Sequence, residues 1–218
     1  MKPATIILAG ATGLVGGGVA QLLPQDVLTI IARRAVGHSE ALQLTGAMHD
    51  WPRLMVGQTF DVGICCLGTT IKQAGSKDAF AAVDLEGVAA FAGSARMAGA
   101  RQFMMVTSVG ADAGSSNFYL QTKGRAEEAV QSLGFARVDI FRPGLLRGDR
   151  PGAGRTGEAL AMAVSPFTDL LTPGMFDKYR SIAATTVASA ICALAGAEGE
   201  GVFIHHNRDM LREAATIG

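Results

Sequence analysis

The stretch Ile6-Ile7-Leu8-Ala9-Gly10-Ala11-Thr12-Gly13-Leu14-Val15-Gly16 decides the fold of this chain. Its apolar first half predicts a buried strand, its glycines predict a tight turn, and the apolar spacing beyond them predicts a helix over 14–23. Glycine lets the backbone turn sharply and approach a pyrophosphate closely. The helix that follows points free N–H groups and its positive dipole end at the anion. The pattern therefore predicts a dinucleotide-binding turn, and a strand-to-helix turn without a ligand is the alternative.

Strand and helix patterns alternate beyond this turn. The predicted strands cover 5–9, 27–32, 62–67, 102–108 and 137–141, with two short ones near 46–49 and at 202–205. The predicted helices cover 14–23, 77–98, 118–133, 158–171 and 185–195. Such alternation predicts an α/β fold of the Rossmann type, a doubly wound parallel sheet with helices on both faces. Ligands of these sheets bind at the carboxyl ends of the strands.

Length and composition favour one domain. The chain has 218 residues, of which 49% are hydrophobic and 17% charged, which suits a single large core. We expect one NAD(P)-binding domain over 1–218, with 144–200 contributing a small C-terminal substrate lobe or lid. The glycine-rich stretch 148–157 predicts a mobile loop. Apolar residues beyond it would supply a pocket wall, namely Val164, Phe167, Leu170, Leu171 and Met175.

The charge balance and the cysteines narrow the class of partner. Lys+Arg and Asp+Glu both number 19, so no basic field favours nucleic acid or an anionic membrane. Cys65, Cys66 and Cys192 form no C-x-x-C pair, and no spacing of histidines with carboxylates predicts a metal site. We therefore expect buried thiols in a reducing compartment, the cytoplasm. We also expect a small-molecule substrate, and a protein that is a monomer or a homodimer.

Residues after the second and third predicted strands bear on the adenosine end of a cofactor. Arg33 and Arg34 directly follow strand two. An acidic residue there would bind the ribose 2′-hydroxyl of NAD, whereas arginine pairs with a 2′-phosphate and favours NADP(H); two solvated surface arginines are the alternative. Asp50 could accept a hydrogen bond from the adenine amino group, or it could be a turn residue before Pro52.

Two further strand ends would border the cofactor. Leu67-Gly68-Thr69 follows strand four, where glycine lets the backbone approach the cofactor and threonine can reach phosphate or ribose. Pro143 follows strand six, and its backbone would border the nicotinamide pocket. Ordinary strand-end turns are the alternative at both places.

Tyr119 and Lys123 are spaced i, i+4 and share one face of the predicted helix 118–133. A tyrosine hydroxyl, with a pKa of about 10, is a poor base at neutral pH. A lysine ammonium one turn away stabilises the phenolate and lowers that pKa, and it can also hold the nicotinamide ribose. Tyr119 could then exchange a proton with a substrate oxygen while nicotinamide carries hydride. Ser108, or Thr107 beside it, could hold the substrate carbonyl.

Together these residues resemble the short-chain dehydrogenase/reductase superfamily, in its atypical branch with a G-A-T-G-x-x-G turn. The segments 65–70, 110–112, 115–124 and 141–144 are similar to those of the Tat-interactive-protein oxidoreductases and their bacterial relatives. The resemblance implies a Rossmann fold that binds NADPH, with Tyr119 as proton donor and Lys123 as its helper. By the same motifs it implies contacts to the pyrophosphate, the 2′-phosphate and the rest of the cofactor from Gly10, Thr12, Gly13, Leu14, Val15, Arg33, Arg34, Leu67 and Gly68.

Three functions fit this sequence. The first is an NADP(H)-dependent oxidoreductase that acts on a small carbonyl or alcohol through Ser108, Tyr119 and Lys123. The second is a non-catalytic sensor whose partner binding depends on NADPH, although such a protein has no need of the Tyr119–Lys123 pair. The third is an enzyme like the nucleotide-sugar epimerases and dehydratases, for which the 74 residues after Gly144 leave limited room.

Overall fold

A seven-stranded parallel sheet forms the centre of the molecule. The computed structural model describes residues 3–37, 39–148 and 179–217. The strands in chain order are β1 Ile6–Ala9, β2 Leu28–Ala32, β3 Leu42–Thr45, β4 Val62–Cys65, β5 Gln102–Val106, β6 Arg137–Phe141, β7 Leu146–Arg147, β8 Ile182–Ala183 and β9 Gly201–His205. The sheet order is β3-β2-β1-β4-β5-β6-β9, and β7 pairs with β8 separately. The order reverses between β1 and β4, which is where such sheets bind ligands.

Helices connect the strands and cover both faces. They are α1 Leu14–Leu22, α2 Trp51–Leu54, α3 Ile71–Ala74, α4 Lys77–Ala81, α5 Val88–Met97, α6 Phe118–Gln131, α7 Ala184–Leu194 and α8 Asn207–Ala214. A 3₁₀ turn, Met48–Asp50, precedes α2, and a π-helical segment, Ala82–Gly87, joins α4 to α5. The doubly wound Rossmann-type fold is therefore confirmed.

The central strands are buried on both faces, because each face carries its own apolar cluster. Every residue of β1, β2 and β4 is buried. One cluster joins the sheet to α1 and α7, including Val19 and Val187. The other joins it to α5 and α6, including Phe91 and Val130. Continuous apolar strands of this kind are what a parallel sheet between two helical layers requires.

Four sequence-based predictions needed correction. The strand predicted over 62–67 ends at Cys65. The third strand is Leu42–Thr45 rather than 46–49, because Leu-Gln-Leu-Thr is a half-exposed edge strand without a continuous apolar run. The helix predicted over 77–98 is interrupted by the π-helical segment. Strand five ends at Val106, so Ser108 lies beyond it. The helix 158–171, the loop residues 149–157 and the proposed pocket wall lie outside the described residues.

Candidate cofactor and active site

The glycine turn packs directly against the end of β4. Gly10 has φ +90°, and a Cβ at this position would lie 2.8 Å from the Leu67 nitrogen and closer still to the Cys66 carbonyl. A Cβ at Gly16 would lie 2.7 Å from the carbonyl carbon of Gly10. Both positions therefore need glycine, so that α1 starts at the carboxyl edge of the sheet, beside β4.

The first turn of α1 leaves its N–H groups available. Gly13 is the N-cap in an extended conformation, no side chain caps it, and the first turn contains no acidic residue. In α6, by contrast, the Asn117 side chain accepts hydrogen bonds from Tyr119 and Leu120. Helical geometry gives the N–H groups of Leu14 and Val15 no acceptor within the helix, so this turn fits a pyrophosphate.

A cleft with a volume of about 440 Å³ opens beside this turn. It lies between α1 and the segments that surround β7 and β8. Its lining includes Gly13, Leu14, Gly17, Arg147, Gly148 and Ala184. The exposed Thr12 precedes Gly13 in the turn, and Val15 is buried under it. The turn thus combines open backbone donors with a cavity at the same edge of the sheet.

Arg33 and Arg34 are both exposed and directly follow β2. Neither forms an ion pair within the described parts of the chain. Since β2 is the parallel neighbour of β1, both arginines follow a strand end at the same edge of the sheet as the glycine turn. Asp50 ends the 3₁₀ turn and has local partners, with its carboxylate 3.6 Å from His49 and 3.9 Å from Arg53. Both contacts are local to the turn.

The end of β4 also meets Lys123. A Cβ at Gly68 would lie 3.7 Å from Lys123 Nζ and 3.6 Å from Asp84 Oδ1. Lys123 Nζ lies 2.6 Å from this carboxylate oxygen, and both side chains are buried. Burial works to lower the pKa of Lys123, but the charges of Asp84 and Tyr119 outweigh it and hold that pKa above its ordinary value. Lys123 is therefore a buried, fixed cation at the sheet edge.

The two threonines after Gly68 have structural partners. The Thr69 N–H donates to Asp84 Oδ2 at 2.9 Å. The Thr70 hydroxyl caps α3 by accepting from the Gln73 N–H at 3.1 Å. Leu67, Gly68 and Thr69, the segment predicted to border a cofactor, follow β4 at the topological switch point. Thr69 is held there by its hydrogen bond to Asp84.

Tyr119 is oriented by a neighbouring aromatic ring. Its ring centroid lies 5.6 Å from that of the fully buried Phe80, with the ring planes 34° apart. Phe80 lies on α4 and Asp84 on the π-helical segment, while their partners Tyr119 and Lys123 are one turn apart on α6. One stretch of helix thus contacts both members of the predicted pair.

Ser108 lies in a loop tied to β6 and α6. Its hydroxyl donates to the Val109 carbonyl at 3.3 Å, and the Val109 N–H donates to the buried Pro143 carbonyl at 3.0 Å. A Cβ at Gly124 would lie 2.7 Å from Asp112 Cα and closer to the Ala113 nitrogen, so the loop packs on α6 next to Lys123. Ser108 and Pro143 therefore share one loop cluster at the sheet edge.

A buried carboxylate holds the strand ends around this cluster. Glu127 accepts from the Thr107 hydroxyl at 2.6 Å and from Arg142 Nε at 3.0 Å, and it also pairs with Arg142 Nη2. Thr107 follows β5 and Arg142 follows β6. Because Glu127 lies one turn beyond Lys123, a single helix face positions both strand ends. Thr107 is thus a partner of Glu127, whereas the Ser108 hydroxyl has the neighbouring Val109 carbonyl as its acceptor.

Sequence reasoning missed Asp84 and Glu127. Glu127 carried a signal, since it continues the spacing of Tyr119 and Lys123 by another four residues. Asp84 carried a weaker one, an acidic residue between Val83 and Leu85 in an apolar helix pattern. Their contacts depend on tertiary packing, which periodicity alone does not give.

Burial disfavours the thiolate form of Cys65 on β4, and with it a role as nucleophile. Burial raises the pKa of Cys65 to about 12, although the Leu67 backbone and Lys123 act against that shift. Burial likewise raises the pKa of Cys192 to about 12. All three cysteines are free thiols.

Comparison with known proteins decides the family. The chain is 37% identical over 171 residues to protein HTATIP2 of Rattus norvegicus, which covers 74% of this chain and 70% of the relative. It is 30% identical over 175 residues to the mitochondrial protein FMP52 of Candida albicans, covering 75% and 76% of the two chains. The chain belongs to the HTATIP2/FMP52 family. It is the family that the segments 65–70, 110–112, 115–124 and 141–144 resemble. No protein-family profile matches the chain.

Solved structures of low identity share the fold of this HTATIP2/FMP52 protein. A short-chain dehydrogenase/reductase superfamily protein from Agrobacterium tumefaciens with bound NAD has a TM-score of 0.66 at 15% identity, covering 98% of this chain and 82% of that one. The dTDP-4-dehydrorhamnose reductase of Bacillus anthracis, in complex with NADP, has a TM-score of 0.66 at 14% identity, covering 100% and 82%. Both confirm the Rossmann-type architecture.

The location of this HTATIP2/FMP52 protein stays a prediction. Within residues 3–37, 39–148 and 179–217, none of the helices is both long and apolar enough to cross a bilayer. The FMP52 relatives are named as mitochondrial, whereas the sequence predicts the cytoplasm.

Proposed function

We propose that this HTATIP2/FMP52 family member is an NADP(H)-dependent oxidoreductase that transfers hydride to or from a small carbonyl or alcohol. The supporting observation is the position of residues 66–68. Cys66 and Leu67 pack against Gly10 of the glycine turn, and Gly68 faces the Lys123 ammonium. The turn that fits a dinucleotide and the helix that carries the Tyr119–Lys123 pair therefore meet at one strand end, at the topological switch point.

Different residues of the described chain would contact successive parts of an extended dinucleotide. The turn Gly10–Val15 would hold the pyrophosphate with the N–H groups of α1, and Thr12 would add an exposed hydroxyl. Arg33 and Arg34 would bind the 2′-phosphate, which is why NADP(H) is proposed over NAD(H). Asp50 would lie toward the adenine. Leu67, Gly68, Thr69 and Pro143 would border the nicotinamide half, which supplies the hydride when it is bound.

The side chains would then manage the proton. In the reductive direction Tyr119 Oη gives its proton to the substrate oxygen as the substrate carbon accepts hydride. The Lys123 cation, one turn along α6 from Tyr119, stabilises the phenolate that remains, because water screens a buried positive charge only weakly. The Ser108 hydroxyl turns from the Val109 carbonyl to donate a hydrogen bond to the same substrate oxygen and fixes its position. In the oxidative direction each proton step runs in reverse.

Turnover tests this function. Purified protein is incubated with NADPH and a set of small aldehydes and ketones, and the loss of absorbance of NADPH is followed. Tyr119→Phe keeps the ring packing on Phe80 and removes only the hydroxyl, so we expect turnover to fall by about 10²–10⁴-fold while NADPH affinity stays the same. Turnover of Tyr119→Phe at the wild-type rate would contradict the mechanism.

A further inference from the structure

The buried carboxylate of Asp84 has a relationship to the site that the sequence did not reveal. It lies in the π-helical segment 82–87, and its residue has 0% exposure. One oxygen lies 2.6 Å from Lys123 Nζ, and the other accepts the Thr69 N–H at 2.9 Å. The carboxylate is thus held from two sides, by the end of β4 and by α6.

Stability alone explains this ion pair poorly. Removing two charges from water is costly, and an apolar pair of similar volume often serves a fold equally well or better. The pair also lies where the helix departs from regular α geometry, and single π turns of this kind occur frequently at functional sites. The position of Asp84 is therefore better explained by what it does to Lys123.

We infer that Asp84 is a positioning residue for the proposed Tyr119–Lys123 pair. The Asp84 carboxylate keeps the Lys123 ammonium charged and fixed beside Gly68. The inference rests on the proposed function and deepens it. Phe80, four residues before Asp84, packs on the Tyr119 ring. The same helical stretch therefore orients the proton donor through a ring contact and its cationic helper through an ion pair.

The groups around Lys123 give this inference a pH dependence. They are Asp84 from the π-helical segment, Tyr119 from α6 and Cys65 from β4. Without the Asp84 charge, burial would favour the neutral amine, so Lys123 would lose its proton at a lower pH than in the wild type. Any step that needs the cation would fail at that lower pH as well.

Direct observation of the lysine provides the test. The chain has five lysines, Lys2, Lys72, Lys77, Lys123 and Lys178, so an NMR titration of ¹³Cε-labelled lysine is simple to assign with a Lys123→Arg variant. We expect Asp84→Asn to move the Lys123 titration to lower pH in protein without cofactor. The matched control is Asp139→Asn, which removes another fully buried, paired carboxylate and should leave the Lys123 titration unchanged.

Turnover and cofactor affinity separate the two proposals. In Asp84→Asn we expect kcat to fall at least about tenfold, its alkaline limb to move to lower pH, and NADPH affinity to stay the same. An unchanged Lys123 titration, or an unchanged pH profile of an active enzyme, would overturn the role of Asp84 alone. Lack of turnover by the wild type would overturn the proposed function, while the titration would still decide whether Asp84 holds the lysine charge.

Asp84→Glu keeps the charge and decides the case if Asp84→Asn does not fold. We expect its Lys123 to titrate as in the wild type, with kcat above that of any folded uncharged variant. A Lys123 that titrates at lower pH in Asp84→Glu would overturn the inference, because the carboxylate would still be present without holding the proton.

Discussion

The rings of Phe80 and Tyr119 lie 5.6 Å apart between centroids, with their planes inclined by 34°. Phe80 is fully buried, whereas Tyr119 is half-buried at the start of α6. The contact fixes the ring of Tyr119, and the proposed function requires the hydroxyl of that ring to stay in one position. A proton donor gains most when its orientation is set before the substrate arrives.

Shortening Phe80 should therefore reduce catalysis more than stability accounts for. In Phe80→Leu we expect kcat to fall about tenfold, since a small misplacement of a reacting group is costly. The matched control is Phe91→Leu, which loosens the ring contact between Phe91 on α5 and Phe103 on β5. Steady-state kinetics and thermal unfolding of both variants are compared. Equal losses of kcat in the two variants would show that Phe80 acts only through stability.

A methyl group at Gly10 should abolish cofactor binding. Gly10→Ala combines φ +90° with a Cβ that would lie within 2.8 Å of the Leu67 nitrogen, so the turn must move away from β4. Gly57→Ala is the control, since Gly57 has φ +78° but no atom within 4 Å of the added Cβ. It should lose only about 1–2 kcal/mol of stability and still bind NADPH. Calorimetric titration measures the NADPH affinity of both variants. Affinity retained in Gly10→Ala would contradict the assignment of the turn.

Removing the two exposed arginines should change the coenzyme preference. Arg33→Ala and Arg34→Ala each remove a partner for the 2′-phosphate, and hydrogen bonds to charged groups are worth about 1.5–3 kcal/mol. We expect weaker NADPH binding, roughly tenfold or more per arginine, with NADH affinity unchanged. Arg101 is an exposed arginine just before the amino end of β5, and Arg101→Ala should alter the affinity for neither coenzyme. Parallel losses of NADPH and NADH affinity would argue against 2′-phosphate recognition.

Acid should unfold the protein partly through Asp139. Burial acts to raise the pKa of this carboxyl, but hydrogen bonds from His205, Arg137 and Gln102 outweigh it and hold that pKa below its ordinary value. In the window between the lowered folded value and the unfolded value near 3.8, the unfolded chain binds more protons. The stabilisation is therefore complete above that window and is lost as the pH falls through it.

Urea unfolding at several pH values checks this dependence. Asp139→Asn should be less stable at pH 7 by roughly 3–5 kcal/mol, because it removes the carboxylate that pairs with the Arg137 charge. It should also show a shallower loss of stability below pH 4. Glu200→Gln, which removes an exposed carboxylate 3.9 Å from Arg101, should follow the wild type. An Asp139→Asn curve parallel to that of the wild type would mean that this carboxyl does not govern acid stability.

Much of the fold follows from local pattern. Strand β6 has the predicted bounds, and α6 begins at Phe118 as predicted, directly after the capping Asn117. Buried parallel strands leave a clear apolar run, and capped helices leave a clear start. The edge strand β3 has neither signal, so its place was predicted wrongly.

The site was predictable only in part, for the same physical reason. Gly10, Tyr119 and Lys123 belong to local motifs whose spacing is visible in one segment. Asp84 and Glu127 act through partners 39 and 15 residues away in sequence, and the Asp84 contact needs a π turn that no period of 3.6 residues indicates. The sequence gives the candidate reacting groups, whereas the two carboxylates that tie Lys123, Thr107 and Arg142 in place emerge from packing.

Calorimetric titration of the pure, folded wild-type protein with NADPH and with NADH tests the central claim most directly. A single site in which the glycine turn and the Tyr119–Lys123 helix share one dinucleotide predicts saturable binding, with NADPH bound at least about tenfold more tightly than NADH. The absence of heat with either coenzyme, confirmed by an unchanged Tm, would contradict it.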